Sequence, residues 1–121
     1  MYNILRRSRI TLNQHIDLAE DWANNMRLYE ATGMGAMLLT DKKRNLHEIF
    51  KPGEEVMAYG SAQECVAMIE RYLADEPARA KIAAAGQRRA IQVENYHVRI
   101  GEILKLISAC RAAASALRTA V

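Results

Sequence analysis

The segment richest in groups able to do chemistry is Asn24-Asn25-Met26-Arg27-Leu28-Tyr29-Glu30-Ala31-Thr32-Gly33-Met34-Gly35. Arg27 offers a forked, charge-assisted contact for an anionic oxygen. Glu30, one helical turn further on, is an acceptor-only carboxylate suited to gripping neighbouring hydroxyls, as acidic residues do with ribose. Asn24 or Asn25 can cap a short helix, and Gly33 can end it in a left-handed conformation. The first amides of such a helix, with its dipole, favour an anion such as a diphosphate. Gly33 and Gly35 permit close approach of the backbone. By spacing alone the signal is modest, since a short helix with one Glu and one Arg is usually just a helix.

Other candidates are thinner. His15, His47 and His97 stand apart, with no H-x-x-x-H pattern, so no metal site is expected. Cys65 and Cys110 lack a CxxC pattern and read as buried, reduced thiols of a cytoplasmic protein. The formal net charge is +3, with clusters at Arg6, Arg7, Arg9 and at Lys42, Lys43, Arg44. Such triplets can touch phosphate but are more simply solvated surface. Aromatics interleaved with basic residues, the mark of nucleic-acid binders, are few here, so nucleic acid is not expected as a partner. No apolar run reaches the roughly 20 residues of a membrane helix, and the start MYNILRRSR lacks the apolar stretch of a signal peptide.

The elements that must position these residues follow from hydrophobic patterning. Arg9–Asn13, Ala36–Thr40 and Val56–Tyr59 read as strands, the last after a Pro52-Gly53 turn. Short, continuous apolar runs suit strands covered on both faces, as in parallel sheets. Helical stretches lie between them, giving an α/β order with a small parallel sheet of three strands. Ser61-Ala62-Gln63-Glu64 is a capping box, with Glu64 reaching back to the amide of Ser61. Ala62, Cys65, Val66, Ile69, Tyr72 and Leu73 mark the apolar face of the helix it opens. Asp75 and Pro77 start the next helix, which is expected to bend at Gly86 and resume to about Glu94. A last helix follows Asn95-Tyr96, with Ile100, Ile103, Leu104, Ile107, Cys110, Ala114 and Leu117 facing a core or a partner, and a fraying end from Ala112 to Val121. Met1 to Arg7 looks like the tail of a helix entering the first strand. With 121 residues the chain is one domain, long enough to bury a core. A thin sheet with open edges reads like part of something larger.

Residues 25–41 resemble the N-x-R-x-F-E-A-x-G-x-G-x-x-L-L-T-D segment of glycosyltransferases in the spore-maturation-protein-like group, relatives of the group 1 family with two Rossmann-like domains (the GT-B architecture). The likeness continues through Phe50-Lys51-Pro52-Gly53-Glu54-Glu55-Val56, similar to F-x-P-G-E-E-V. It runs on through Leu73-Ala74-Asp75-Glu76-Pro77 and Ala85-Gly86-Gln87-Arg88-Arg89, and closes at Tyr96-His97-Val98-Arg99, similar to T-Y-x-x-R. It spans residues 5–107, leaving 108–121 as a helical tail. Several ordered motifs at matching intervals make it far more specific than any one of them.

The resemblance implies a partial Rossmann-like domain, the C-terminal half of such an enzyme, that binds a nucleotide-sugar donor without metal or other cofactor. Glu30 would then hold the donor's ribose hydroxyls, with Arg27 and Asn25 beside it and the backbone at Gly33 to Gly35 closing that side. The loop after the first strand, Asn13-Gln14-His15, is a donor-side contact by position. In the wider group 1 family a second Glu stands eight residues before the first, in an E-x7-E pattern. Here Trp22 occupies that position, with Asp21 adjacent. A full enzyme also has an N-terminal domain carrying the acceptor site, so the chain is expected to be inactive alone. Its partner is expected to be that domain or a second copy. The alternative is a non-catalytic interaction module built on the same fold.

Overall fold

The computed structural model describes residues 1–93 and 96–119. It is a mixed α/β fold around a parallel sheet of three strands in the order β1-β2-β3. β1 is Ile10–Asn13, β2 is Met37–Asp41 and β3 is Met57–Tyr59, each within a residue or so of the apolar runs that predict them. Helix α1 (Tyr2–Arg7) precedes β1, and α2 (Met26–Gly33) joins β1 to β2. The short α3 (Leu46–Ile49) lies between β2 and β3, and α4 (Ala62–Ala74), α5 (Glu76–Gln92) and α6 (Tyr96–Thr119) follow.

The alternation of side chains along β2 divides the core. Leu38 joins Leu28 and Ala31 of α2, Phe50 and Val56 on one face of the sheet. Met37 packs on the other face with Tyr72 of α4 and Ile82 and Ala83 of α5. Both faces of β2 are therefore dry, which is why its sequence is an unbroken apolar run. β1 lies at an edge of the sheet, and Leu12, which shares the α5 face with Met37 by alternation, stays half exposed there.

Polar contacts fix the element ends. Ser61 caps α4 by accepting from the Glu64 amide at 3.1 Å. The return bond differs from the expected box: the Glu64 carboxylate takes the amide of Gly60, at 2.6 Å, and is also reached by Lys42. Asp75 caps α5 through the Ala78 amide, with Pro77 in the first turn where its missing N–H costs nothing. Glu76 binds Arg9 (2.6 Å) and Arg79, and Arg79 also donates to the Arg9 carbonyl, so the start of β1 is clamped to the start of α5.

Three expectations need correction. α5 runs uninterrupted through Gly86, and the glycine serves a close approach: a Cβ there would stand 2.4 Å from the Glu55 carbonyl oxygen. The expected end of that helix at Glu94 lies outside the described residues, as does Asn95. Cys65 is buried but Cys110 is exposed on α6. The core alternative for the apolar stripe of α6 falls too, since Ile100, Ile103, Leu104 and Ile107 are all about half exposed or more, which leaves the partner alternative of that expectation. The side chain expected at its far end, Leu117, lies outside the described set. Among the described residues, no helix is long and apolar enough to cross a membrane.

Candidate functional site

α2 runs back across the sheet, so its N-terminus sits beside the C-terminal ends of β1 and β2, the end at which open α/β sheets hold ligands. Asn25 is the residue that caps it: its Oδ1 accepts from the Leu28 amide at 3.3 Å. The same side chain donates through Nδ2 to Asn13 Oδ1 at 3.1 Å. Asn13, at the end of β1, donates in turn to Thr40 Oγ1 at 2.9 Å, its register partner on β2. Thr40 donates to Asp41 Oδ1 at 3.2 Å. The two strand ends and the helix cap are thus joined by one chain of side-chain hydrogen bonds.

His15 enters this network from the loop after β1. Both its backbone N–H (3.1 Å) and its ring Nδ1 (2.7 Å) meet Asp41 Oδ1. Lys43 lies 3.4 Å from the other Asp41 oxygen. Burial pushes the Asp41 carboxyl up, but the ring and backbone hydrogen bonds from His15 outweigh it and bring the pKa below the ordinary carboxylate value. Tyr59 closes the network from β3 by donating to the Asn13 carbonyl at 2.9 Å. Burial, then the nearby charge of Asp41, raises the pKa of that phenol.

A second feature adjoins the first. A hollow of about 620 Å³ lies between α1, α2 and α6, lined by Tyr2, Asn24, Asn25, Met26, Tyr29, Glu30, Gly33, Met34, Tyr96 and Arg99. The Glu30 side chain is 12% exposed in its wall. Its contacts are long: Arg27 at 3.6 Å and the Tyr2 hydroxyl at 3.4 Å. A carboxylate has about four lone-pair sites, so these two leave acceptor capacity.

Of the residues singled out from sequence, Asn25, Glu30 and Gly33 therefore line one hollow, with Arg27 paired to Glu30. Asn13 and His15 belong to the network at the strand ends, and Asn25 links the two groups. Gly35 is elsewhere. It carries φ +82° at the far end of α2, where its amide bonds the Thr32 carbonyl and the Ala36 amide bonds that of Ala31. That is the left-handed helix stop expected of Gly33, which instead stays within α2. Gln87 of α5 covers the turn, donating to the Gly33 carbonyl at 3.1 Å. Trp22 is half exposed. Sequence reasoning missed Thr40 and Asp41, although polar residues ending the apolar run of β2 mark the same sheet end as Asn13. It also gave no site role to Tyr2, Tyr29, Tyr96 and Arg99, which three separate helices, α1, α2 and α6, bring to the hollow.

The model of the glycosyl transferase-like family matches residues 1–105. The chain belongs to that family. The match takes in all three strands, the polar network and the whole lining of the hollow, and stops within α6. No curated protein and no solved structure matches the chain. As a member of a glycosyl transferase-like family, the chain is associated with sugar transfer in general.

Proposed function

We propose that this chain is the donor-binding portion of a glycosyltransferase of GT-B architecture, in the spore-maturation-protein-like subgroup, acting in the cytoplasm on a nucleotide-diphosphate sugar. The observation that carries the reading is Glu30: a nearly covered carboxylate, with acceptor capacity to spare, in the wall of a hollow that also presents three tyrosines. A carboxylate so placed grips the vicinal hydroxyls of ribose, and aromatic faces take up the base. Asn25 lies where the ribose side of the hollow meets the α2 N-terminus, whose remaining amides favour the diphosphate. Arg27 adds positive charge nearby, and Gly33 keeps the wall low. Asn13 and His15, at the strand ends, face the sugar side.

Transfer breaks the bond between the sugar's anomeric carbon and the diphosphate, and the charge left on that group must be stabilised while an acceptor hydroxyl is held in line. This chain supplies the grip on the donor. The acceptor and the base that deprotonates it belong to a second domain or chain, so the isolated chain is inactive. Titrating uridine and guanosine diphosphates in a calorimeter tests the reading. Binding of one of them at millimolar concentration or below, weakened by Glu30→Ala, is expected; no heat with either refutes it.

A second reading, a non-catalytic interaction module, is favoured by one observation: the apolar side chains of α6 are exposed along Ile100, Ile103, Leu104 and Ile107. Two copies burying those faces would sediment as a dimer, and a strictly monomeric, folded species counts against it.

A further inference from the structure

Charge is sparse in the hollow beside α2. Of the ten described residues that line it, only Glu30 on α2 and Arg99 on α6 are charged, one of each sign. Arg27, although 3.6 Å from Glu30, is not part of the lining. Tyr96 and Arg99 stand three residues apart at the start of α6, so both fall on the helix face turned to the hollow. Arg99 Nη1 meets Glu102 at 3.2 Å, and the two side chains are 52% and 55% exposed. Glu102 does not line the hollow. An exposed pair of this kind is weak. A phosphate, which accepts two parallel N–H bonds from a guanidinium fork, is the stronger partner.

We propose that Arg99 takes up a phosphate of the bound ligand, exchanging Glu102 for it, and so makes the hollow select a nucleotide over the corresponding nucleoside. The assignment deepens the donor-binding reading above and rests on it. A ligand that carries a diol and an anion needs one acceptor and one cation, and the lining holds one of each. Without Arg99 the charge of Glu30 would stand alone in the hollow and repel a diphosphate. The amides that open α2 favour the same anion, but a helix N-terminus carries only about half an elementary charge and does not balance a carboxylate. Arg99 supplies the full charge from a second helix. The exchange leaves no buried ion behind, because Glu102 is already half in water.

Titrations of the full chain with uridine and with uridine diphosphate, followed by amide chemical shifts, test the assignment at millimolar affinities. The wild type is expected to bind the diphosphate about tenfold or more tightly than uridine, with the preference shrinking as salt is added. Arg99→Gln should weaken uridine diphosphate about tenfold and leave uridine unchanged. Its spectrum should otherwise match the wild type, since the side chain is half exposed. Glu102→Gln removes the competitor and should bind uridine diphosphate at least as tightly as the wild type. Weaker binding by Glu102→Gln would mean that the ion pair itself serves the ligand, and overturns the exchange. Uridine diphosphate binding that depends on Glu30 but is indifferent to Arg99→Gln overturns the proposal and leaves the donor reading standing. An equal loss for uridine and its diphosphate does the same, because a merely structural residue would act on both. If the wild type binds neither probe, the donor reading falls, and the role of Arg99 with it.

Discussion

Asn25 and Asn13 are joined by a 3.1 Å hydrogen bond, which makes one side chain both the cap of α2 and the tether of that helix to the end of β1. The bond couples the wall that carries Glu30 to the strand ends that carry His15 and Asp41. Whatever sits in the hollow therefore meets a frame fixed by the sheet and not by a loose loop.

That coupling can be tested through stability. Asn13 is buried, donates to Thr40 and accepts from Asn25. Asn13→Ala strips Thr40 of its donor and the Asn25 amide of its acceptor in a buried site, and should cost about 1–3 kcal/mol of unfolding free energy. Urea denaturation of the two proteins measures it, and a loss within error would mean the network is not formed.

Glycines give a contrast across the same domain. Gly86→Ala drives a methyl to within 2.4 Å of the Glu55 carbonyl, a backbone atom that cannot swing away, and should cost about 1–3 kcal/mol. Gly33→Ala meets nothing within 4 Å and adds a helix former inside α2, so it should be neutral or stabilise by up to about 1 kcal/mol. Thermal unfolding of both variants checks the order, and the reverse order would contradict the packing of α5.

Acid should weaken the clamp between β1 and α5. Hydrogen bonds from Arg79, then Arg9, lower the Glu76 pKa from 4.5 to about 2. Because the folded value is depressed, the contribution of Glu76 to stability is present in full above pH 4.5 and is lost as pH falls toward 2. The melting temperature of the wild type should exceed that of Glu76→Gln at neutral pH, with the gap closing across that interval. The side chain is half exposed, so the gap is small and shrinks with added salt.

The fold was readable from sequence because its strands are buried on both faces and its helices begin at local signals. Ser61 and Asp75 cap through bonds three residues long, and β2 needs no partner to be recognised. Gly86 and Gly35 were harder to read. The first answers to the Glu55 carbonyl and the second to Gln87, both distant in sequence, so a helix bend and a misplaced helix stop were the natural local readings. The site divides the same way. Glu30, Arg27 and Asn25 share one short helix and could be seen together, whereas Asp41 acquires its role only when β1 and β2 pair and bring His15 to it. Tyr2 and Tyr96 reach Glu30's hollow from the two ends of the chain, which no spacing rule can anticipate.

The grip of Glu30 on ribose is the central claim, and removing one hydroxyl from the ligand tests it most directly. Calorimetric titration should compare uridine diphosphate with its 2′-deoxy analogue, on the wild type and on Glu30→Gln. The account predicts that the wild type binds the ribose form tenfold or more tightly than the deoxy form, and that Glu30→Gln loses most of this preference. Equal affinity of the wild type for the two ligands, or an undiminished preference in Glu30→Gln, would contradict it.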